Sequence, residues 1–199
     1  MSKPKLQLTK NQAFLPTRYG NFIVTVYKDE TDKDHLVLSK NLEKEKEVLV
    51  RIHSSCETGD VFGSLRCDCG PQLDHAMKKI AENDSGVLVY LNQEGRGIGL
   101  FNKIKTYALQ DEGLDTVQAN EQLGFPADMR DYHLAAAILK DLEITKISLI
   151  TNNPDKEKQL AEYGIKVVKS IPLEIEPNRY NRKYLQTKKQ KLHHKLTLV

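Results

Sequence analysis

The stretch GVLVYLNQEGRGIGL, residues 86–100, decides which fold this 199-residue sequence predicts. Its first part, GVLVYL (86–91), is a short continuous apolar run, which is typical of a strand buried in a parallel sheet. The overlapping stretch IGLFNKIKTYALQDEG (98–113) has apolar residues at helical spacing and ends at a glycine, Gly113. A strand, a glycine-rich turn and a helix in this order predict one βα unit.

The same alternation continues toward the carboxyl end of the chain. RDYHLAAAILKDL (130–142) predicts a helix and KISLIT (146–151) a strand. A further helix is predicted from about residue 154, and IKVV (165–168) predicts another strand. An alternating pattern of this kind favours a largely parallel sheet with helices packed on it.

The first half of the chain is richer in strands. Three short runs with many β-branched residues predict strands that pair largely antiparallel: NFIVTVY (21–27), HLVLS (35–39) and KEVLVRIH (46–53). PQLDHAMKKIAEN (71–83) predicts a helix. We therefore predict an α/β fold in which both halves pack as one layered domain, residues 1–176, followed by a basic tail, residues 177–199.

Composition limits the class of protein. The amino-terminal MSKPKLQLTKN lacks the apolar run of a secretory signal, and no apolar run approaches the roughly 18 residues of a membrane span. We expect a cytoplasmic protein with no membrane partner. The net charge of +3 is too small to imply nucleic-acid binding. No acidic residue follows Glu176, so we expect a solvated and partly frayed tail, with attraction of polyanions as the alternative.

The segment SSCETGDVFGSLRCDCG (54–70) contains all three cysteines of the chain, Cys56, Cys67 and Cys69. Thiolates favour zinc, and three protein ligands leave a fourth position open for water, which is typical of a catalytic zinc site. His53 and His75 are the nearest rivals for that fourth position. The alternative is that the cysteines are small residues of the core.

Three further motifs contain polar residues near predicted strand or helix ends. Glu94 and Arg96 follow the 86–91 strand, where α/β folds bind ligands, although a tight βα turn explains the glycines equally well. Asp128 lies at the start of a predicted helix, where it is either an N-cap or a site residue. Lys156 belongs to TNNPDK (151–156), which is either a capped helix start or a phosphate- or base-binding loop.

Four segments together resemble the GTP cyclohydrolase II family in their order and spacing: RIHSSCETGDVFGSLRCDCGPQL (51–73), QEGRGIGLFNKIKTYALQDEGLDTVQANEQLGF (93–125), ADMRD (127–131) and LITNNPDK (149–156). The resemblance implies zinc-dependent hydrolysis of GTP that opens the guanine imidazole ring and releases formate and pyrophosphate. The product would be 2,5-diamino-6-ribosylamino-4(3H)-pyrimidinone 5′-phosphate, in the first committed step of riboflavin biosynthesis. It also implies Mg²⁺ with the triphosphate, a homodimer and no nucleic-acid partner.

The resemblance assigns roles to individual residues. The three cysteines match the zinc ligands, and a water at zinc would attack C8 of the purine. Arg130 matches a proposed nucleophile on the α-phosphorus and Asp128 its acid/base partner; because a guanidinium stays protonated, an electrostatic clamp is the alternative role of Arg130. Tyr107, otherwise a core aromatic, matches a tyrosine near the reacting base. The positions that match GTP-binding residues are Arg51, Ile52, His53, Ser54, Ser55, Gln72, Glu94, Gly95, Arg96, Thr116, Thr151 and Lys156.

The sequence departs from the family pattern at two positions. Ser55 stands where the family often has an acid, and Gly97 where it often has a polar residue. The dihydroxybutanone-phosphate synthase domain that is fused to many relatives is expected to be absent. Two alternatives stay open: a catalytically altered relative that binds GTP but stops early, and a structural zinc module that binds nucleic acid through the tail. The second alternative needs a fourth zinc ligand.

Overall fold

The computed structural model describes residues 9–43 and 46–199, and within these residues seven strands form one mixed sheet. The strands are β1 Thr9–Thr17, β2 Gly20–Lys28, β3 Asp34–Lys40, β4 Val48–Ser54, β5 Gly86–Leu91, β6 Lys146–Ile150 and β7 Lys166–Ile171. Their order across the sheet is β1-β2-β3-β5-β4-β6-β7. The pairs from β1 to β5 are antiparallel, and those from β5 through β4 and β6 to β7 are parallel. The predicted fold class is therefore confirmed.

Helices cover the parallel part of the sheet. In the described residues they are α1 Glu57–Asp60, α2 Cys69–Glu82, α3 Gly99–Asp111, α4 Thr116–Gln122, α5 His133–Asp141, α6 Pro154–Glu162 and α7 Arg182–Leu192. A 3-10 turn, Glu94–Gly97, precedes α3. None of these helices combines the length and the apolar character that a membrane span needs.

Some elements differ from the sequence-based expectations. Four elements, β1, α1, α4 and α7, have no counterpart among the elements predicted from the sequence. The expectation of a partly frayed tail is wrong for Arg182–Leu192, because this segment forms α7 and buries Leu185 and Lys188. The strand expected at 46–53 is parallel to both neighbours, because its connections to β5 and β6 pass through helices. Residues 1–8, in which no secretory signal is expected, lie outside the described residues.

The core lies on both faces of the sheet. On one face, alternate β4 residues such as Val50 and Ile52 pack with Leu139 of α5 and Leu160 of α6. On the other face, apolar residues of β4, β5 and β6 pack against Ala76, Met77 and Ile80 of α2. The layers thus leave one edge of the sheet open, where the carboxyl ends of three adjacent parallel strands meet.

Candidate active site

The loops that follow β4, β5 and β6 open into one pocket at that edge of the sheet, the usual ligand position in α/β folds. Sixteen residues of the expected site line this pocket: Arg51, His53, Ser54, Ser55, Cys56, Cys67, Cys69, Gln72, Glu94, Gly95, Arg96, Tyr107, Thr116, Arg130, Thr151 and Lys156. The other two residues of the expected site, Ile52 and Asp128, do not line the pocket. The Ile52 side chain belongs to the core, while the Asp128 carboxylate holds Arg130.

The three cysteines, hereafter the sulfur cluster, form a candidate metal centre. Their Sγ atoms lie within 4.8 Å of one another, and the Sγ atoms of Cys56 and Cys67 are 3.7 Å apart. Zn–S bonds of about 2.3 Å in a tetrahedron place two sulfurs about 3.8 Å apart, so the donor type and the spacing fit zinc. Hydrogen bonds within the cluster lower the pKa of Cys56, and the ammonium of Lys103 lowers it further.

Neither histidine considered as a fourth ligand joins the sulfur cluster among the described residues. His53 Nε2 lies 3.1 Å from both carboxylate oxygens of Asp60, and the His53 ring stacks on Tyr90. His75 is exposed, and its Nδ1 lies 2.8 Å from the carbonyl of Pro71. The arrangement therefore offers three protein ligands, as the cysteine count predicts.

Glu94 and Lys103 form a buried ion pair beside the sulfur cluster. Lys103 Nζ donates to Glu94 Oε1 at 2.7 Å and to Cys56 Sγ at 3.1 Å. The other oxygen of Glu94 accepts the backbone N–H of Glu57 at 2.6 Å. Burial lowers the pKa of Lys103, but Glu94 and Cys56 outweigh it and raise this pKa above its ordinary value. Glu94 is thus held against the cysteine loop while it also lines the pocket.

Tyr107 lies about one helical turn after Lys103 on α3. Its hydroxyl is 3.3 Å from Oγ1 of Thr58, and Thr58 Oγ1 is in turn 3.7 Å from Cys56 Sγ. The guanidinium of Arg66 stacks on the Tyr107 ring, 4.5 Å from its centre. Burial raises the pKa of Tyr107, so the side chain stays a neutral phenol that can donate a proton.

Arg51, Arg130 and Lys156, hereafter the cation cluster, occupy the same pocket. Arg51 donates to the carbonyl of Ile150 at 3.1 Å and to Gln72 at 2.7 Å, while its Nε has no partner among the described residues. Lys156 Nζ donates to the carbonyl of Ile52 at 2.8 Å. Burial, then the charges of Arg51 and Arg130, lower the pKa of Lys156 well below its ordinary value. These cations repel one another, so the cluster favours an anion.

Asp128 and Arg130 form a two-pronged ion pair. Arg130 Nε donates to Asp128 Oδ1 at 2.9 Å and Nη2 donates to Oδ2 at 2.5 Å. Burial raises the pKa of Asp128, but Arg130 outweighs it, so the pKa falls below its ordinary value. The N-cap interpretation of Asp128 is wrong, because α5 starts only after Tyr132. The loop 151–156 starts a capped helix, as one of its two interpretations predicts, because Asn153 caps α6. Lys156 of the same loop is also buried in the pocket.

The two departures from the family pattern have local structural roles. Ser55 Oγ accepts the backbone N–H of Gln93 at 3.2 Å and so joins the loops after β4 and β5. Gly97 has φ +93°, and a Cβ there would lie 3.1 Å from the Cβ of Met129. A larger residue would therefore be strained at this position.

Other pocket residues were missed by sequence reasoning. Lys103 has a detectable signal, because it lies four residues before Tyr107 on the same predicted helix. Tyr184, Lys188 and His194 also line the pocket, but they come from the tail and have no motif of their own. Only their packing reveals them.

The chain is similar to known proteins over most of its length. The family model described as GTP cyclohydrolase II matches residues 8–172. Riboflavin biosynthesis protein RibBA of Endomicrobium trichonymphae is 54% identical over 187 residues, which cover 93% of this chain and 46% of that protein. The RibBA of Chlorobium phaeovibrioides is 51% identical over 199 residues, covering 99% and 48% respectively. The chain therefore spans about half the length of the curated relatives it matches.

A likeness among solved structures is weaker. The crystal structure of RibBX, a two domain 3,4-dihydroxy-2-butanone 4-phosphate synthase from A. baumannii, is 23% identical and covers 75% of this chain and 35% of that chain. Its TM-score is 0.40, so the likeness carries no argument about this site.

Proposed function

The chain belongs to the GTP cyclohydrolase II family, and we propose that it hydrolyses GTP in this pocket. The reaction opens the guanine imidazole ring, releases formate and pyrophosphate, and gives 2,5-diamino-6-ribosylamino-4(3H)-pyrimidinone 5′-phosphate for riboflavin biosynthesis. One observation carries the proposal: a single pocket contains both the sulfur cluster and the cation cluster. The first suits a purine ring that needs an activated water, and the second suits a triphosphate.

The cation cluster supports binding of the phosphate chain. Guanidinium and ammonium groups are the usual protein partners of phosphate oxygens. The described residues provide no carboxylate within ion-pair distance of Arg51 or Lys156. A triphosphate with its Mg²⁺ would supply the missing negative charge. The free N–H of Arg51 would then find an acceptor.

The three cysteines would hold the zinc ion. When bound there, zinc supplies a Lewis acid that makes water a nucleophile near neutral pH. Lys103 donates a hydrogen bond to the Cys56 thiolate and keeps that ligand in place. Tyr107, as a neutral phenol beside the cluster, donates or relays a proton during ring opening.

Arg130 acts as an electrostatic clamp on the transferring phosphoryl group rather than as a nucleophile. Burial lowers the pKa of Arg130, but Tyr132 and Asp128 outweigh it and raise this pKa above its ordinary value. A protonated guanidinium has no lone pair for attack, but it stabilises charge that develops on phosphate oxygens. Asp128 aligns the guanidinium, since both of its oxygens accept hydrogen bonds from it.

The remaining assignments follow from family membership. We propose a cytoplasmic homodimer that needs Mg²⁺ for its triphosphate substrate and has no nucleic-acid partner. Sedimentation of the purified chain tests the dimer, and omission of Mg²⁺ from the assay tests the metal requirement. The division at residue 176 stays a prediction, as does an altered relative that stops after ring opening.

The deciding experiment measures formate and pyrophosphate together after incubation of the chain with zinc, Mg²⁺ and GTP. We expect both products from GTP and neither from ATP. The Cys67→Ser variant is expected to lose bound zinc and formate release. The control variant, Lys105→Met, changes an exposed position, leaves Cys67 intact and should keep both. Formate without pyrophosphate would indicate the altered relative. Release of neither product from GTP would refute the proposed function.

A further inference from the structure

The carboxyl-terminal segment of the chain forms part of the pocket wall. Tyr184 and Lys188 of α7 line the pocket, as does His194 just after the helix. The GTP cyclohydrolase II match ends at residue 172, so these residues lie beyond the segment that defines the family. Their position therefore needs an explanation from this structure.

Several contacts fix this segment against the two loops that build the site. Asn181 Nδ2 donates to the carbonyl of Cys67 at 3.4 Å. The backbone N–H of Lys195 donates to the carbonyl of Asn152 at 2.8 Å, in the loop that follows β6. The segment is thus attached on both sides of the pocket, to the cysteine loop and to the loop that leads to Lys156.

Lys188 is the cation that this segment brings into the pocket. It is 8% exposed, and its Nζ lies 3.0 and 3.1 Å from the two oxygens of Asp68. Asp68 also accepts a hydrogen bond from Gln72, so its charge is shared between two donors. An ammonium has three N–H groups, and a single carboxylate does not use all of them.

The surroundings of Lys188 carry an excess of positive charge. Lysine and arginine account for seven of the residues that line the pocket, and glutamate and aspartate for two. Lys188 lies close enough to Lys156 to lower the pKa of that group. Burial, then the charges of Lys188 and Arg130, lower the pKa of His194 to about 3. An additional buried cation at this place is costly unless an anion binds beside it.

We propose that Lys188 donates a hydrogen bond to the phosphate chain of the nucleotide, so that α7 completes the nucleotide site. This inference rests on the proposed function and names one more residue of the same site. The Lys188–Asp68 pair then orients the ammonium, and the phosphate chain takes a remaining N–H. Because Asp68 lies between the ligands Cys67 and Cys69, the pair also links phosphate binding to the cysteine loop.

The test compares Lys188→Met with Lys189→Met, which changes the exposed neighbouring lysine of the same helix. Calorimetric titration of the zinc-loaded full chain measures the Kd of pyrophosphate, GTP and guanosine. We expect Lys188→Met to weaken pyrophosphate and GTP about tenfold or more and to leave guanosine within about twofold. Lys189→Met should match the unaltered chain for all three, and Lys188→Arg should keep most of the pyrophosphate affinity.

A double variant separates a phosphate contact from a purely structural ion pair. If Lys188 only neutralises Asp68, then Asp68→Asn combined with Lys188→Met removes the unpaired carboxylate and restores the affinity for pyrophosphate. The proposal expects no restoration, because the double variant still lacks the ammonium that contacts the phosphate chain. An unaltered chain that releases formate from GTP while Lys188→Met binds pyrophosphate normally overturns this inference alone. Absence of GTP binding by the unaltered chain overturns the proposed function as well.

Discussion

Lys103 contacts two groups outside its own helix. Its ammonium donates to Cys56 Sγ at 3.1 Å and to Glu94 at 2.7 Å, and the side chain is buried. A hydrogen bond to a thiolate ligand reduces the negative charge on sulfur and fixes its orientation. Lys103 thus supports the three cysteines without being a candidate metal ligand itself.

We expect Lys103→Met to lower zinc affinity about tenfold to hundredfold, the usual effect of losing a partner of a metal ligand. Competition with a chelator measures this affinity directly. Substitution with Co²⁺ adds an optical readout, since the sulfur-to-metal absorption should shift when the hydrogen bond to Cys56 is lost. Lys105→Met, at an exposed position of the same helix, should change neither. Equal zinc affinity for Lys103→Met and the unaltered chain would contradict the assignment.

Changes at Arg130 distinguish an electrostatic clamp from a nucleophile. We expect Arg130→Ala to reduce pyrophosphate release by about a hundredfold or more. Arg130→Lys should recover part of the loss, because the ammonium keeps the charge but not the fork that pairs with Asp128. Rapid quenching followed by mass spectrometry should detect no nucleotide attached to Arg130 in the unaltered chain. A covalent adduct that forms and decays at the turnover rate would establish the nucleophile instead.

Single residues were predictable where they follow a strand. Arg51, Glu94 and Lys156 stand in or directly after segments with a clear apolar pattern, so the sequence places them at one sheet edge. Their pairing was not predictable. That Glu94 bonds Lys103, and that Lys156 bonds the carbonyl of Ile52, depends on how α3 and α6 pack.

At the scale of elements, α1 and α2 hold the sulfur cluster because they approach closely at Gly59. A Cβ at this position would lie 2.8 Å from Cys67 Sγ and 3.2 Å from Cys56 Sγ. A Cβ atom essentially never comes as close as 2.8 Å to a non-bonded heavy atom, so the cysteines would have to move apart. The spacing of this candidate metal site therefore depends on one glycine in a four-residue helix.

We expect Gly59→Ala to weaken zinc binding strongly while most of the sheet stays folded, since the substitution lies outside the strands. Zinc content after dialysis and thermal unfolding measure the two effects separately. Glu57→Ala, at an exposed position of the same short helix, serves as the control and should retain its zinc. Retention of zinc by Gly59→Ala at the level of the control would show that the loop relaxes and that the spacing is not fixed there.

Elements with a strong local pattern were predicted, and those that depend on partners were not. One exception is α4, which was not predicted although its segment has a usable signal: Asp115 and Gln118 form a capping box. By contrast, α7 consists largely of lysine, arginine and glutamine, with Leu185 and Lys188 turned inward. A pattern this polar predicts a solvated helix or tail, and only the site beneath it explains the burial. β1 is exposed along most of its length and lacks the alternation that predicts a strand.

For the molecule as a whole, the site is assembled from segments far apart in the chain. The cysteine loop, the loops after β5 and β6, and α7 meet at one sheet edge. The order of strands in the sheet decides this meeting, and local patterns do not encode that order. For this reason the sequence predicts the α/β class and the chemistry of each loop, while the electrostatic coupling between loops appears only in the folded chain.

That coupling predicts a linkage between nucleotide binding and stability through Lys156. Burial, then Arg51, Arg130 and Lys188, lower the pKa of Lys156 well below the 10.5 of a free lysine, and Asp128 opposes them only in part. Between the folded pKa and 10.5, the unfolded chain therefore holds a proton that the folded chain releases. The free energy of unfolding then rises with pH in this window, by up to about a tenfold change in the folding equilibrium per pH unit.

We expect Lys156→Met to remove this rise, so denaturant unfolding from neutral to alkaline pH should give a flatter profile for the variant. Without nucleotide, the variant should also be the more stable protein near neutral pH, because folding no longer has to remove the proton of a buried lysine. Pyrophosphate restores the charged form of Lys156, so its binding to the unaltered chain should take up protons that the variant does not. Calorimetry in two buffers with different ionisation enthalpies measures this uptake. Equal uptake by both proteins, together with parallel pH profiles, would mean that Lys156 keeps its proton in the folded chain.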